Sequence, residues 1–133
     1  MPMEPDPGTI LIVEDDPDVR DALVVLLEQE GYATESVSDG HEALVRLRES
    51  SPPSLVLLDL MLPVMDGFEF RVQQLQDPTV AGIPVIVFSG GGDLTRKVES
   101  LRVDACLAKP LDLQALLELV AGRVGRADAL QNA

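Results

Sequence analysis

Residues 54–67 read Ser54-Leu55-Val56-Leu57-Leu58-Asp59-Leu60-Met61-Leu62-Pro63-Val64-Met65-Asp66-Gly67, and the reading of this stretch decides the fold. Leu55 to Leu58 is apolar without alternation, the pattern of a strand buried on both faces, and it runs straight into the carboxylate of Asp59. Pro63 and the Asp66-Gly67 pair then stop regular structure and turn the chain. An open parallel sheet binds ligands in the crevice beyond the carboxyl ends of its strands, which is where this order of residues puts Asp59.

Working outward, Ile10 to Val13 is a second continuous apolar run, and it too ends in acids, Glu14, Asp15 and Asp16. Asp16 before Pro17 reads as an N-cap and first helical residue, with Val19, Ala22, Leu23, Leu26 and Leu27 at helical spacing until Gly31. Ala33 to Val37 alternates and suits an edge strand. Asp39 with Glu42 predicts a capped helix that turns Ala43, Leu44 and Leu47 inward. Beyond Asp59, Phe68, Val72 and Leu75 mark the inward face of a short helix, with Gln73, Gln74 and Gln76 on its wet side and Phe70 left without a place. Asp77-Pro78 ends it. Val85 to Phe88 is another buried strand, closed by Ser89 and Gly90 to Gly92. Asp93 opens a helix with Leu94, Val98 and Leu101 inward. Ala105 to Ala108 is a short edge strand ending in Lys109-Pro110, and Asp112 caps a last helix with Leu113, Leu116, Leu117, Val120 and Val124 on one face.

Five alternations of strand and helix predict an α/β domain: a five-stranded parallel sheet between two helical layers. The continuous apolar runs belong at the centre and the weaker strands at the edges, an arrangement that order 2-1-3-4-5 satisfies. The expected boundaries are a leader over residues 1–9, one domain over 10–124 and a tail over 125–133.

The 133-residue chain is 46% hydrophobic and carries a net charge of -13. That suffices for one core, repels nucleic-acid phosphates and anionic membranes, and favours cationic or metal-bearing partners. The single cysteine, Cys106, makes no internal disulfide, and no apolar run approaches the roughly 20 residues of a membrane helix. The reading is a cytoplasmic domain with no membrane association and no direct nucleic-acid contact.

The strand ends deliver Glu14, Asp15, Asp59, Ser89 and Lys109 to one edge of the sheet. Carboxylates about 4 Å apart repel by about 4 kcal/mol at an effective dielectric of about 20, so such a cluster demands a cation or protons. An all-oxygen acidic nest suits Mg²⁺. With Lys109 and the Ser89 hydroxyl to hold an anion, the set meets the needs of phosphoryl transfer, in which positioning and charge neutralisation dominate, and Asp59 is the candidate nucleophile. Taken singly, Glu14 to Asp16 also read as helix-capping acids, Ser89 as a turn residue and Lys109 as a solvated cation. His41, near a helix start, reads as exposed, with no phosphotransfer motif around it.

Through the motifs ILIVEDD, LVLLDLMLPVMDG, VIVFSG and LAKP, residues 10–124 resemble the receiver domain of bacterial two-component response regulators, in particular the single-domain chemotaxis-regulator type. The resemblance implies a flavodoxin-like (βα)5 fold in which Asp59 is the phosphoacceptor, Glu14 and Asp15 the acidic pair, and Ser89 and Lys109 the hydroxyl and lysine of the site. It implies Mg²⁺ held by Asp15, Asp59 and the Met61 backbone carbonyl, with Glu14 acting through water, and a cis peptide between Lys109 and Pro110. It also implies a phosphohistidine donor on a sensor histidine kinase or histidine phosphotransfer protein, a downstream protein target, and slow loss of the chain's own phosphoryl group. The chain departs from the family pattern at Cys106, where an aromatic switch partner of Ser89 is usual, and at Arg102-Val103, which replace a frequent Gly-Ala. With its thiol read as a small core group, these departures route the response through Gly90 to Gly92 and the start of the following helix. The rival readings are a phosphorylation-independent interaction domain of the same fold, a receiver fragment of a longer regulator, and a haloacid-dehalogenase-like phosphatase. That last class requires an acid two residues after the nucleophile, where Met61 stands.

Overall fold

Neighbouring residues of each central strand serve opposite layers of the molecule. In the computed structural model, which describes residues 8–49, 51–90 and 101–125, Leu57 packs with one helical layer and Leu58 with the other, and both are fully buried. This is why the apolar runs do not alternate: both sides of the strand are interior.

Five strands form the sheet: β1 Thr9–Val13, β2 Ala33–Val37, β3 Leu55–Asp59, β4 Val85–Ser89 and β5 Ala105–Ala108. All pairings are parallel, in the order β2-β1-β3-β4-β5, as predicted. The first strand begins at Thr9, which pairs with Ala33, one residue earlier than the apolar run suggests. Four helices lie among the described residues: α1 Pro17–Gln29, α2 Gly40–Leu47, α3 Gly67–Gln76 and α4 Leu113–Val124. The predicted helix after Asp93 and the glycines 91 and 92 lie outside the described residues.

One face of the sheet sets Ile10, Ile12, Leu55, Leu57, Ile86 and Phe88 against Leu23 and Leu27 of α1 and Leu116 and Val120 of α4. The other sets Leu11, Val13, Val56, Leu58, Val85 and Val87 against Ala43, Leu44 and Leu47 of α2 and Phe70 of α3. Each fully buried aliphatic side chain contributes about 1.5–3 kcal/mol, so the two faces supply most of the drive to fold. Side-chain caps start each of these four described helices: Asp16 accepts from the Asp18 amide, Asp39 from Glu42, Asp66 from Glu69 and Asp112 from Ala115. The Glu42 carboxylate in turn accepts from the Ser38 amide, one residue before the cap.

Helix α3 corrects the sequence reading. Its buried residues are Gly67, Phe70, Arg71 and Gln74, whereas Val72 and Leu75 are exposed. The inward stripe still runs i, i+3, i+4, i+7, but two of its members are polar, so counting apolar residues picked the wrong stripe. Their polar atoms are satisfied. Arg71 Nε donates to the Leu101 carbonyl at 2.9 Å, and its two terminal nitrogens donate to Gln74 Oε1 at 2.7 Å and the Arg102 carbonyl at 2.6 Å. Gln74 Nε2 donates to the Val80 and Ile83 carbonyls at 3.1 and 3.0 Å. Burial lowers the pKa of the Arg71 guanidinium, and the charge of Asp104 opposes this. Ala22 and Leu113 are also exposed rather than inward, at the margins of their helical faces.

Candidate functional site

Register brings the acids together. Val13 pairs with Leu58, so the next residues along, Glu14 and Asp59, emerge side by side at the carboxyl edge. Both are buried, with 1% and 2% of their surface exposed, whereas Asp15 is exposed. One carboxylate oxygen from each of Glu14, Asp15 and Asp59 lies within 4.8 Å of the other two. On the far side, Ser89 pairs with Ala108, and the Lys109 amide donates to the Ser89 carbonyl at 3.0 Å, which sets the lysine opposite the acids. The Lys109-Pro110 peptide is cis.

The Asp59 carboxylate is held at both oxygens. Oδ1 accepts from the Met61 amide at 3.0 Å and Oδ2 from Lys109 Nζ at 3.1 Å. Lys109 Nζ also donates to Glu14 Oε1 at 3.3 Å, while Glu14 Oε2 accepts from the Asp16 amide at 3.2 Å. One ammonium thus bridges two buried acids. Burial raises the pKa of Glu14 to about 7, and the hydrogen bond and charge of Asp59 add to this against the opposing Asp16 amide and Lys109 charge. For Lys109, burial pulls the pKa down, but hydrogen bonds and charges from Asp59 and Glu14 outweigh it and the net shift is upward.

The Ser89 hydroxyl is buried and has no hydrogen-bond partner among the described residues. A buried hydroxyl without a partner is an exception among buried polar groups, and this one lies at the carboxyl edge of the sheet that carries the acids. The clustered carboxylates fit a hard divalent cation by donor type, since every available ligand atom is oxygen. The loop that follows Asp59 is positioned by Gly67. Its amide donates to the Leu60 carbonyl at 3.1 Å, and a Cβ there would stand 2.8 Å from the Asp59 carbonyl oxygen. Within the loop, Val64 holds φ 65°, a left-handed conformation that a β-branched residue rarely adopts.

This geometry agrees with sequence similarity. The family model for the response regulator receiver domain matches residues 10–121. The chain belongs to that family. Receiver domains are signalling modules rather than enzymes: sensor kinases phosphorylate them, and they bind a divalent metal. Among its relatives is the DNA-binding dual master transcriptional regulator RpaA of a Synechocystis strain, 33% identical over 126 residues, with 93% of this chain and 52% of RpaA covered. The receiver chain spans about half the length of the curated relatives it matches. Among solved structures, the phosphorylated cyanobacterial phytochrome response regulator RcpA shares 30% identity at a TM-score of 0.68, covering 86% of this chain and 89% of RcpA. The Mn²⁺-bound response regulator Rcp1 shares 28% identity at a TM-score of 0.72, covering 86% and 90%.

Of the residues singled out from sequence, Glu14, Asp15, Asp59 and Lys109 converge in the receiver's crevice, and Ser89 ends the strand beside it. His41 is exposed in the first turn of α2, as expected. Cys106 is not the core residue expected of it. It is exposed on edge strand β5, because Ala105 and Leu107 are the residues that turn toward the α1 and α4 layer. Desolvation still raises its pKa, so it is not an activated thiolate. Sequence reasoning overlooked the Met61 amide, and it treated Phe88 as core alone although Lys109 Nζ stands over its ring. The signal available for Phe88 was that it is the one aromatic residue within the five strands.

Proposed function

We propose that Asp59 is the phosphoacceptor of this receiver, taking a phosphoryl group from a phosphohistidine on a sensor kinase or histidine phosphotransfer protein. The observation that carries the reading is the buried Asp59 carboxylate, held by Lys109 Nζ at 3.1 Å beside two further acids at the carboxyl edge of a parallel sheet. One Asp59 oxygen attacks phosphorus as the bond to the imidazole nitrogen breaks, and that nitrogen keeps the electron pair. The negative charge then lies on the phosphoryl oxygens rather than on the carboxylate. Lys109 meets it with an ammonium group, and the Ser89 hydroxyl turns to donate to it.

The cation in this reading is Mg²⁺, which Asp15, Asp59 and the Met61 carbonyl would hold, with Glu14 acting through water. When bound, it neutralises the acids and the incoming phosphoryl charge. Water later cleaves the acyl phosphate, slowly, and the signal leaves by binding to another protein. The unit responsible is residues 10–124, acting in the cytoplasm without contacting nucleic acid itself; the whole chain's net charge of -13 supports this even though relatives such as RpaA are named as DNA-binding. With Cys106 exposed on the edge strand and no aromatic side chain there, the Ser89 movement passes along β4 toward Gly90 rather than through a ring on β5.

Incubation with acetyl phosphate and Mg²⁺, followed by intact mass measurement, tests the assignment. The expected result is one added phosphoryl group, abolished by Asp59→Asn or by EDTA. Uptake that survives either change would remove Asp59 from the role.

A further inference from the structure

Among the described residues the Lys109 ammonium has three partners, and two of them change during the reaction just described. Asp59 loses its charge on becoming an acyl phosphate, and Glu14 belongs to the acidic cluster that receives the cation. The third is Phe88: Lys109 Nζ lies over its ring, 5.4 Å from the centroid, within the range of a cation–π contact. The ring comes from the strand residue paired with Asp59 itself and is 1% exposed, so its position is fixed by the sheet and the surrounding core. The other strand residues of this core cluster are aliphatic or alanine: Ile10, Ile12, Leu55, Leu57, Ile86, Ala105 and Leu107. An aliphatic residue at 88 would fill the same core. Only an aromatic one presents a negative face to the ammonium.

The geometry points to Phe88 as a positioning residue for Lys109, one that keeps the ammonium at the crevice while its carboxylate partners change charge. This inference rests on the reading of Asp59 as phosphoacceptor and adds to it the means by which the lysine stays in place. Neither phosphorylation nor metal binding alters the charge distribution of the ring, so it holds Nζ at the crevice at the point where the carboxylates cease to do so.

Three variants test it: Phe88→Leu, Phe88→Tyr, and the protein carrying pentafluorophenylalanine at position 88, which keeps the ring's shape and reverses its charge distribution. In the metal-free wild type, the Lys109 side-chain protons should show an upfield ring-current shift by NMR, kept with tyrosine and lost with leucine. Phosphoryl uptake from acetyl phosphate should slow by about five-fold in the leucine and fluorinated proteins and recover with tyrosine. On a Lys109→Ala background, Phe88→Leu should cause no further loss. If the wild type takes up no phosphoryl group, the assignment of Asp59 fails first. If the wild type is phosphorylated and the leucine and fluorinated proteins match its rate, the role of Phe88 alone is overturned. Because the fluorinated ring preserves packing, a folding defect in the leucine variant cannot mimic the expected result.

Discussion

Glu14 shows how a single buried group couples this receiver to pH. Its pKa rises from 4.5 to about 7 on folding, mainly through burial. Between those values the folded protein holds a proton that the unfolded chain has released, so stability falls as pH rises through the window. The penalty is absent below pH about 4.5 and complete above about 7. The metal-free domain should therefore unfold at lower urea at pH 7.5 than at pH 5.5, with the difference reduced in Glu14→Gln. A divalent cation favours the carboxylate, so Mg²⁺ should stabilise more at pH 7.5 than at pH 5.5. A slope that survives Glu14→Gln would assign it to another group. Lys109 offers a second test. Lys109→Ala should stay folded, because the side chain is 31% exposed, yet lose most of the thermal stabilisation that beryllofluoride with Mg²⁺ gives the wild type. Equal stabilisation of the two proteins would mean that Lys109 does not meet the phosphoryl group.

At the scale of elements, α3 is where physics and pattern part company. Phe68, Val72 and Leu75 form a helical stripe that reads as a buried face, but the helix turns Phe70, Arg71 and Gln74 inward. The reason lies outside the helix. The turns at Val80, Ile83, Leu101 and Arg102 carry carbonyls that need donors, and Arg71 and Gln74 supply them. Arg102 sits at φ 52° with its carbonyl on Arg71, at a place where the family often has glycine. Arg71→Leu should thus cost about 3 kcal/mol despite adding apolar bulk, because it leaves two carbonyls and the Gln74 amide oxygen without their donor. Val72→Lys should stay within about 0.5 kcal/mol. Urea denaturation of both distinguishes the faces, and a reversed order would restore the apolar stripe to the core. Gly67→Ala should be destabilising too, since the new methyl meets backbone at 2.8 Å on both the Asp59 carbonyl oxygen and Leu60 Cα. The caps and the carboxyl ends of the strands were legible because each depends on residues adjacent in sequence, and the sheet order because continuous apolar runs mark the strands buried on both faces. The inward face of α3 and the exposure of Cys106 were not, because they depend on what lies across the fold.

At the scale of the whole molecule, the charge of -13 acts on every compact state of the chain. Self-repulsion destabilises such a state, and salt shortens its reach to about 10 Å at 0.1 M. Raising KCl from 10 to about 300 mM should therefore increase the melting temperature, whereas a protein held mainly by surface ion pairs would lose stability. A melting temperature that falls with salt would show that pairs such as Arg48 with Asp77 outweigh the net charge. The same charge predicts that the receiver alone leaves duplex DNA unretarded on a native gel at physiological salt, whatever the longer relatives do.

Lys109 reaches its two acids across 50 and 95 residues of sequence, from a strand at the opposite side of the sheet from β2. During synthesis, at about 5–20 residues per second, Asp59 is made some 2.5–10 seconds before its lysine exists. Through that interval the emerging chain holds paired acids with no ammonium between them and lacks the last strand. On the proposed reading of Asp59, a chain that stops short of Lys109 should take up no phosphoryl group from acetyl phosphate. Closure of the crevice therefore waits on Lys109, the residue that follows the last strand of the sheet and brings the ammonium to both acids.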